Sequence, residues 1–448
     1  MGKLKWILSL LLIMCYGEIS AQVKQWTLED CINYAVTNNI GLQRQHLQTE
    51  TDKVNLLTAK LNILPSLNLG SNAQVAFGRS VDPTSNLITF SQNLLNSFYA
   101  NSDLSLFAGL TKANTLSANK FMLRAGLEQE KVARNTLVID IMGQYYQYLY
   151  ARGLEDASKM QLDLSEKQLF RISKMVETGR EALAKQYEIE SQVSADRLSY
   201  TIAVNNSNKA LTSLKQTLQL EPGTDFEILM PDLNTIMIMD ASYNTDSIYS
   251  LAAQNLPRLK SLEYEVKASQ KRVAAAVGAI SPRITAGGSV STGYFNALND
   301  TSNKISYNRQ LKNNVGQQVY VSLNIPIFNN YSAGRNIRMA KINRKDTELR
   351  LAQERNNLYT DIENACLDYN RGKAEYLAAI SNLEYNRKSF DAVEKKFEAG
   401  LVDVTDYSAA KTLLFKAETD ELRTKLQLLI RKLSIEFYST GEYENLVK

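Results

Sequence analysis

The stretch Phe397–Asp406, FEAGLVDVTD, interrupts a region that otherwise reads as one very long helix. The stretch Val176–Lys185, VETGREALAK, sits in the same setting 221 positions earlier. Gly400 and Gly179 coincide. A glycine adopts the left-handed conformation that a sharp helix reversal needs, at no steric cost. The long helix is therefore expected to end near Ala399, with LVDV as a short turn and Thr405–Leu433 as the returning helix. In the earlier copy Gly179 ends a helix of about 112–177, and Arg180–Leu220 returns.

Two copies of one pattern run through the chain. YAVTNNIGL (Tyr34–Leu42) falls over LAAQNLPRL (Leu251–Leu259), and Pro65 falls over Pro282, both at an offset of 217. LSLFAGL (Leu104–Leu110) falls over IPIFNNY (Ile325–Tyr331) at an offset of 221, as Gly179 does over Gly400. The four-residue difference belongs in a variable loop within 80–95, where insertions are tolerated. The seven prolines are Pro65, Pro83, Pro222, Pro231, Pro257, Pro282 and Pro326, so 84–221 and 327–448 are proline-free and suited to very long helices. The expected organisation is a first repeat over 22–220, a linker over 221–245 and a second repeat over 246–448.

Each repeat also carries two stretches of period two. In the first, Leu67, Leu69, Ala73, Val75 and Phe77 alternate with polar residues, then Phe98, Ala100, Leu104 and Leu106 do the same. In the second, Ile284, Ala286, Val290 and Tyr294 are followed by Val315, Val319, Val321, Leu323, Ile325 and Ile327. Strands are expected at about 65–79, 97–107, 282–295 and 314–328. Their length suits a tilted membrane-spanning strand. The segments SVDPTSNLITFSQN and ALNDTSNKISYNRQLKN between them read as polar hairpin loops. Four strands leave two open edges, which a bilayer forbids, and bacterial barrels need at least about eight. Three copies would supply twelve strands, so a homotrimer sharing one barrel is expected.

The chain begins MGKLKWILSLLLIMCYGEISAQ: a basic start, a short apolar run and small residues at Ser20–Ala21. This reads as a secretory signal peptide over 1–21, too short for a membrane span. Cys15 would be a lipid acceptor only against the bulk of Met14 before it. Cleavage leaves Cys31 and Cys366, with neither disulfide nor metal spacing. No later apolar run is long enough for a transmembrane helix, so membrane entry would have to use β-strands. Net charge is +4 across 448 residues, too slight and dispersed for nucleic acid.

The second long helix, about 333–398, would be roughly 100 Å long at 1.5 Å per residue, which implies a coiled-coil rod. Ile362, Ala365, Tyr369, Gly372, Tyr376, Ala379, Leu383, Asn386, Phe390, Val393 and Phe397 keep strict 3,4 spacing. The architecture expected is mainly α with a small β part: two strands, a rod and a helical hairpin per repeat.

These features together resemble the TolC family of bacterial outer-membrane efflux proteins. The resemblance rests on the duplication, on TLEDCINYAVTNNIGL (Thr27–Leu42), on its counterpart at Asn255–Leu259 and on VSLNIPIFNNYSAGRNIRMAKI (Val321–Ile342). It implies a trimeric twelve-stranded barrel continued by an α-helical tunnel through the periplasm. Periplasmic adaptor proteins would join the tips to an inner-membrane pump, and Gly179, Arg180, Gly400, Leu401 and Val402 would mark the adaptor-contacting tips. In the family's best-known member, acidic residues six and nine places after the second glycine constrict the tunnel mouth. Here Asp406 and Ala409 occupy those places, with Asp403 nearby but out of register. A Tyr and an Arg that help to lock that tip are replaced by Phe397 and Val402, and Lys185 holds the first-repeat acidic position. A different closed-state lock is expected. Carboxylates near a helix start are also stabilised by the helix dipole alone, an equal reading of Asp403 and Asp406.

Nothing points to catalysis. His46 is the single histidine, read as a surface or interface residue on a helix. One His and two separated Cys make no metal site, and no phosphate loop or Ser-His-acid pattern is present. No cofactor is expected. Tyr294 and Tyr99 suit membrane interfaces, whereas Tyr145, Tyr146 and Tyr148 suit helix packing. The function expected is a passive outer-membrane exit duct for small molecules, with Asn68, Gln74, Asp103, Ser289 and Gln318 lining its lumen. A type I secretion duct for polypeptides and a soluble periplasmic coiled-coil adaptor are the alternatives.

Overall fold

The computed structural model describes residues 25–81, 86–231, 243–298, 305–441 and 443. The segment 1–21 read as a signal peptide, the centre of the segment 221–245 read as a linker and the tips of both strand-connecting loops lie outside the described residues.

Nine helices are described: α1 (Leu28–Asn38), α2 (Ile40–Leu61), α3 (Thr111–Glu177), α4 (Leu183–Leu218), α5 (Thr245–Asn255), α6 (Pro257–Gly278), α7 (Tyr307–Asn313), α8 (Ser332–Glu398) and α9 (Val404–Thr440). Six strands accompany them: β1 (Gln25–Trp26), β2 (Asn68–Val81), β3 (Ile88–Ala108), β4 (Glu227–Ile228), β5 (Arg283–Ala297) and β6 (Gly316–Asn324). The helix bounds repeat with the offsets of the sequence. Both ends of α1 recur in α5, and both ends of α2 in α6, 217 positions later. Both ends of α3 recur in α8, and the start of α4 in α9, 221 positions later.

Local chemistry explains the starts. Thr27 caps α1 through a reciprocal box: its Oγ1 accepts from the Asp30 N–H at 3.1 Å, and Asp30 Oδ2 accepts from the Thr27 N–H at 3.1 Å. Asn244 caps α5 by accepting from the Ser247 N–H at 3.0 Å. Pro257 is the first residue of α6, where its missing N–H costs nothing.

The chain divides into two compact units, one of 1–44, 132–256 and 357–448, the other of 45–131 and 257–356. The second contains a four-stranded sheet in the order β2-β3-β5-β6, antiparallel throughout. Strand β3 starts at Ile88 rather than near 97, because ITFSQN is paired along β2 despite its polarity. Strand β6 stops at Asn324, two residues before Pro326, which has no N–H to offer a ladder. The second loop is not irregular throughout: α7 folds back on β5, with the Thr292 hydroxyl donating to the Leu311 carbonyl at 2.6 Å. Two consecutive left-handed residues turn strand into helix in each repeat: Gly109 and Leu110 (φ 60° and 61°), then Asn330 and Tyr331 (φ 52° and 63°). There Gly109 and Gly278 meet so closely that a Cβ on either would strike the other's carbonyl oxygen.

In the first unit β1 and β4 form a two-residue parallel pair, beside which Trp26 packs edge-on against Tyr34 and Phe226. Tyr145 and Tyr148 are buried among the helices. Every member of the 3,4 series from Ile362 to Phe397 is buried or half-buried, so that stripe is the packing seam of α8 in this unit.

Candidate functional site

The site residues expected from the sequence fall in two places, one in each unit. The first is the pair of helix reversals. At Gly179 (φ 71°) the Gly179 N–H donates to the Val176 carbonyl at 3.0 Å and the Arg180 N–H to the Met175 carbonyl at 2.8 Å. At Gly400 (φ 71°) the same two bonds run from Gly400 to Phe397 at 3.0 Å and from Leu401 to Lys396 at 2.8 Å. This is the paired-bond glycine C-cap, which satisfies the last carbonyls of a helix and requires a left-handed residue. The two reversals differ on the returning side. Asp403 is the N-cap of α9 and accepts from the Asp406 N–H at 2.9 Å, whereas its counterpart Ala182 offers no side-chain cap to α4. Asp406 is exposed in the first turn of α9, while Lys185 at the corresponding place in α4 lies 3.6 Å from Glu181. Leu401 is exposed and Val402 half-buried.

Behind the reversals Ile172, Ile189, Val193, Phe397, Val404 and Tyr407 belong to one buried apolar cluster. Phe397 stacks on Tyr407 with centroids 4.7 Å apart, and burial pushes the Tyr407 hydroxyl up to about 12. Phe397 thus acts by packing.

The connections between the two hairpins were not foreseen from the sequence. Arg171 on α3 donates to the Glu398 carbonyl at 3.2 Å and lies 3.6 Å from its carboxylate, so it closes the C-terminal end of α8. Deeper, Lys411 on α9 donates to Asp196 Oδ2 on α4 at 2.8 Å and to the Gln161 carbonyl on α3 at 2.8 Å, and it also contacts Ser165 Oγ. Both ionised side chains are only 4% exposed. Asp196 also accepts from Ser165, from Gln161 at 3.2 Å and from Gln192 at 2.8 Å. Burial works to raise its pKa, but the bonds from Lys411 and Ser165, with the Lys411 charge and Gln161, hold it below the ordinary carboxylate value. Burial lowers the pKa of Lys411, with Asp196 opposing.

A second ion pair recurs with its charges exchanged. Glu166 meets Arg197 at 2.8 Å, and 221 positions later Arg387 meets Glu418 at 3.4 Å.

The other place is the sheet. Leu69, Val75, Phe77, Val319, Val321 and Leu323 share one face and are exposed, Val319 to 88%. On the opposite face lie Asn68, Gln74, Asp103, Ser289 and Gln318, the residues expected to line a lumen. Tyr99 is on this polar face, not at an apolar interface. Its ring lies over Gly70, its cross-strand partner. Tyr320 lies likewise over its partner Gly287, and its hydroxyl donates to Asp103 on the next strand. Tyr294 packs against Tyr307 of α7, centroids 4.8 Å apart.

No described helix is long and apolar enough to cross a membrane. Among the described residues no cluster of three or more His, Cys, Asp or Glu side chains could hold a metal ion. His46 joins α2 to α3, its Nδ1 3.2 Å from Glu130 and its Nε2 3.5 Å from Glu50.

Comparison with known proteins gives this arrangement its context. Residues 248–439 match the family model described as outer membrane efflux protein. An uncharacterised protein of Haemophilus influenzae is 22% identical over 452 residues, covering 96% of this chain and 92% of that one. Among solved structures, CusC is matched at a TM-score of 0.77 and 15% identity, over 93% of this chain and 92% of its own. The CmeC outer membrane channel of Campylobacter jejuni is matched at 0.77 and 14%, over 93% and 86%. The open-state MtrE outer membrane channel of Neisseria gonorrhoeae is matched at 0.75 and 16%, over 93% and 89%. The resemblance read from the sequence is thereby borne out: residues 248–439 match the outer membrane efflux proteins, and the chain has the fold of TolC-like outer-membrane channels.

Proposed function

We propose that this protein is the outer-membrane exit duct of a tripartite efflux system, working as a homotrimer. It passes small molecules onward passively from an inner-membrane pump through a periplasmic adaptor. The observation that carries this reading is the sheet: four antiparallel strands, an exposed apolar face, a polar opposite face and two open edges. A bilayer tolerates strands only in a closed barrel, so the sheet needs further copies to be completed. The family match of the second half of the chain supports efflux as the purpose.

The reversals at Gly179–Arg180 and Gly400–Val402 are the surfaces we assign to the adaptor, and Asp403 and Asp406 are the acidic pair we assign to the tunnel entrance. Asp403 has a structural duty as well, since it caps α9. The entrance function therefore falls chiefly on Asp406, whose exposed carboxylate is an acceptor in no described side-chain bond. Two connections take the place of the missing tip lock: Arg171 to Glu398 at the surface and Lys411 to Asp196 within.

Deleting the gene from its host tests the proposal. Accumulation of fluorescent efflux substrates should rise several-fold and return to normal with a plasmid copy. The purified protein should conduct ions in a planar bilayer. Unchanged accumulation together with no conductance would overturn the reading.

A further inference from the structure

The internal repeat specifies more than the need for a second copy. Within each repeat the two strands pair in the same register: Gly70 faces Tyr99 in the first, and Gly287 faces Tyr320 in the second. These positions are related by the 217 and 221 offsets, so the sheet's two hairpins are equivalent strand by strand. The contact between the repeats is β3 against β5, with Asp103 facing Gly287 and Phe98 facing Thr292. Carrying β3 forward one repeat gives β6, and carrying β5 back one repeat gives β2. These are the two strands whose outer edges are open.

We propose that β6 of one copy pairs antiparallel with β2 of a second copy in the register that the β3–β5 contact dictates. Asn324 then faces Gly70 of the second copy, Val321 faces Ala73 and Val319 faces Val75. This inference rests on the shared-barrel reading above and specifies its contact.

Two independent observations fit the register. It keeps the exposed apolar face of one copy beside that of the next, and its central pairs match in polarity: Val321 with Ala73, Tyr320 with Gln74 and Val319 with Val75. A slip of one residue would break that match. The tyrosines give the finer mark. Tyr320 reaches across Gly287 to donate to Asp103 on the strand beyond. Tyr99 reaches across Gly70 in the same way, toward the open edge, and no acceptor for it is described within its own chain. The counterpart of Asp103 one repeat on is Asn324, whose amide oxygen the proposed register brings to the Tyr99 hydroxyl of the neighbouring copy. Closure around the ring therefore repeats a Tyr-over-Gly contact six times, the hydroxyl reaching its acceptor by turns within one copy and on the next.

Cysteine pairs test the register. Facing residues on antiparallel strands have Cα atoms about 4.5–5.5 Å apart. A disulfide needs roughly 4.4–6.8 Å, which a two-residue displacement exceeds. Val75→Cys with Val319→Cys should give reducible cross-linked dimers and trimers when isolated membranes are treated with a membrane-permeant oxidant. Val319→Cys with Phe77→Cys or Ala73→Cys should give about tenfold less. Phe98→Cys with Thr292→Cys, the equivalent pair within one chain, is the positive control, and the parent with buried Cys31 and Cys366 is the background. Light scattering of each reduced variant in detergent reports assembly separately. A three-chain mass with preferential cross-linking of a displaced pair, or with none at any pair, overturns the register and leaves the duct standing. A one-chain mass for the parent removes the shared barrel and the proposed function with it.

Discussion

At the scale of single residues, the Lys411–Asp196 pair carries the largest expected effects. Two ions buried to this degree are expensive to desolvate, and removing one leaves the other uncompensated. Lys411→Met and Asp196→Asn should each cost about 3–5 kcal/mol, whereas Lys411→Met with Asp196→Leu should recover most of that loss. Thermal unfolding in detergent measures all three. Acid should act on the same site. The folded pKa of Asp196 lies below its ordinary value, so its contribution is fully present above the unfolded carboxylate pKa of about 4. It is lost as pH falls through the lower folded value. The difference in melting temperature between parent and Asp196→Asn should be flat from pH 7 to about pH 5 and shrink below about pH 4. Asp403 separates capping from charge: Asp403→Ala should loosen the start of α9 by about 1 kcal/mol, and Asp403→Asn should leave it nearly unchanged. Hydrogen exchange at the amide of Asp406, which Asp403 now accepts from, reads the difference.

At the scale of elements, two kinds of glycine do different things. Gly179 and Gly400 need only the left-handed conformation, because nothing lies within 4 Å of where a Cβ would be. Substituting either with Ala should cost about 1–2 kcal/mol and show as faster exchange in the last helical turn, with assembly intact. Gly278 has an ordinary φ but lies against the Gly109 carbonyl. A backbone oxygen cannot turn aside as a side chain can, so Gly278→Ala should displace the corner where strands meet helices. The yield of assembled protein from membranes should fall sharply for Gly278→Ala and hold for Gly179→Ala. The exchanged ion pairs Glu166–Arg197 and Arg387–Glu418 are largely exposed and worth at most about 1 kcal/mol each. Their value to the helical hairpins lies more in specifying which helices pair than in stability.

At the scale of the whole molecule, the two faces of the sheet should respond oppositely to charge. If the apolar face meets lipid, Val319→Arg should cost about 2–4 kcal/mol near the middle of the bilayer. Gln318→Arg, one residue away on the other face, should be tolerated. Urea titration of the protein refolded into lipid vesicles compares the two, and equal effects would argue against a lipid-facing side. The same duplication that builds the sheet also builds the reversals, yet it is imperfect where function is proposed. Asp403 and Asp406 of the second repeat stand over Ala182 and Lys185 of the first, and the Lys411 cluster has no counterpart at Glu190.

Much of this was legible in the sequence because it is written in local, periodic terms. Period two in Leu69–Phe77 and Val319–Leu323 marked strands, the 3,4 series from Ile362 marked the seam of α8, and Gly179 and Gly400 marked the reversals. The repeated bounds of α1 and α5, and of α3 and α8, follow from a duplication visible as two constant offsets. What escaped is what depends on residues far apart in the chain. The polar run ITFSQN became strand because β2 supplied its ladder partners, which no local propensity records. Arg171 meeting Glu398, Lys411 meeting Asp196 and Tyr320 meeting Asp103 join positions more than two hundred residues apart. Each is an ordinary charged or polar side chain until packing removes water and selects its partner. The sequence by itself determined the long helices, the cores of the four strands and the two glycine reversals, because backbone geometry and side-chain period act over a few residues. Only the tertiary structure decided which buried charges are paired, because that choice is made by desolvation once the helices have met.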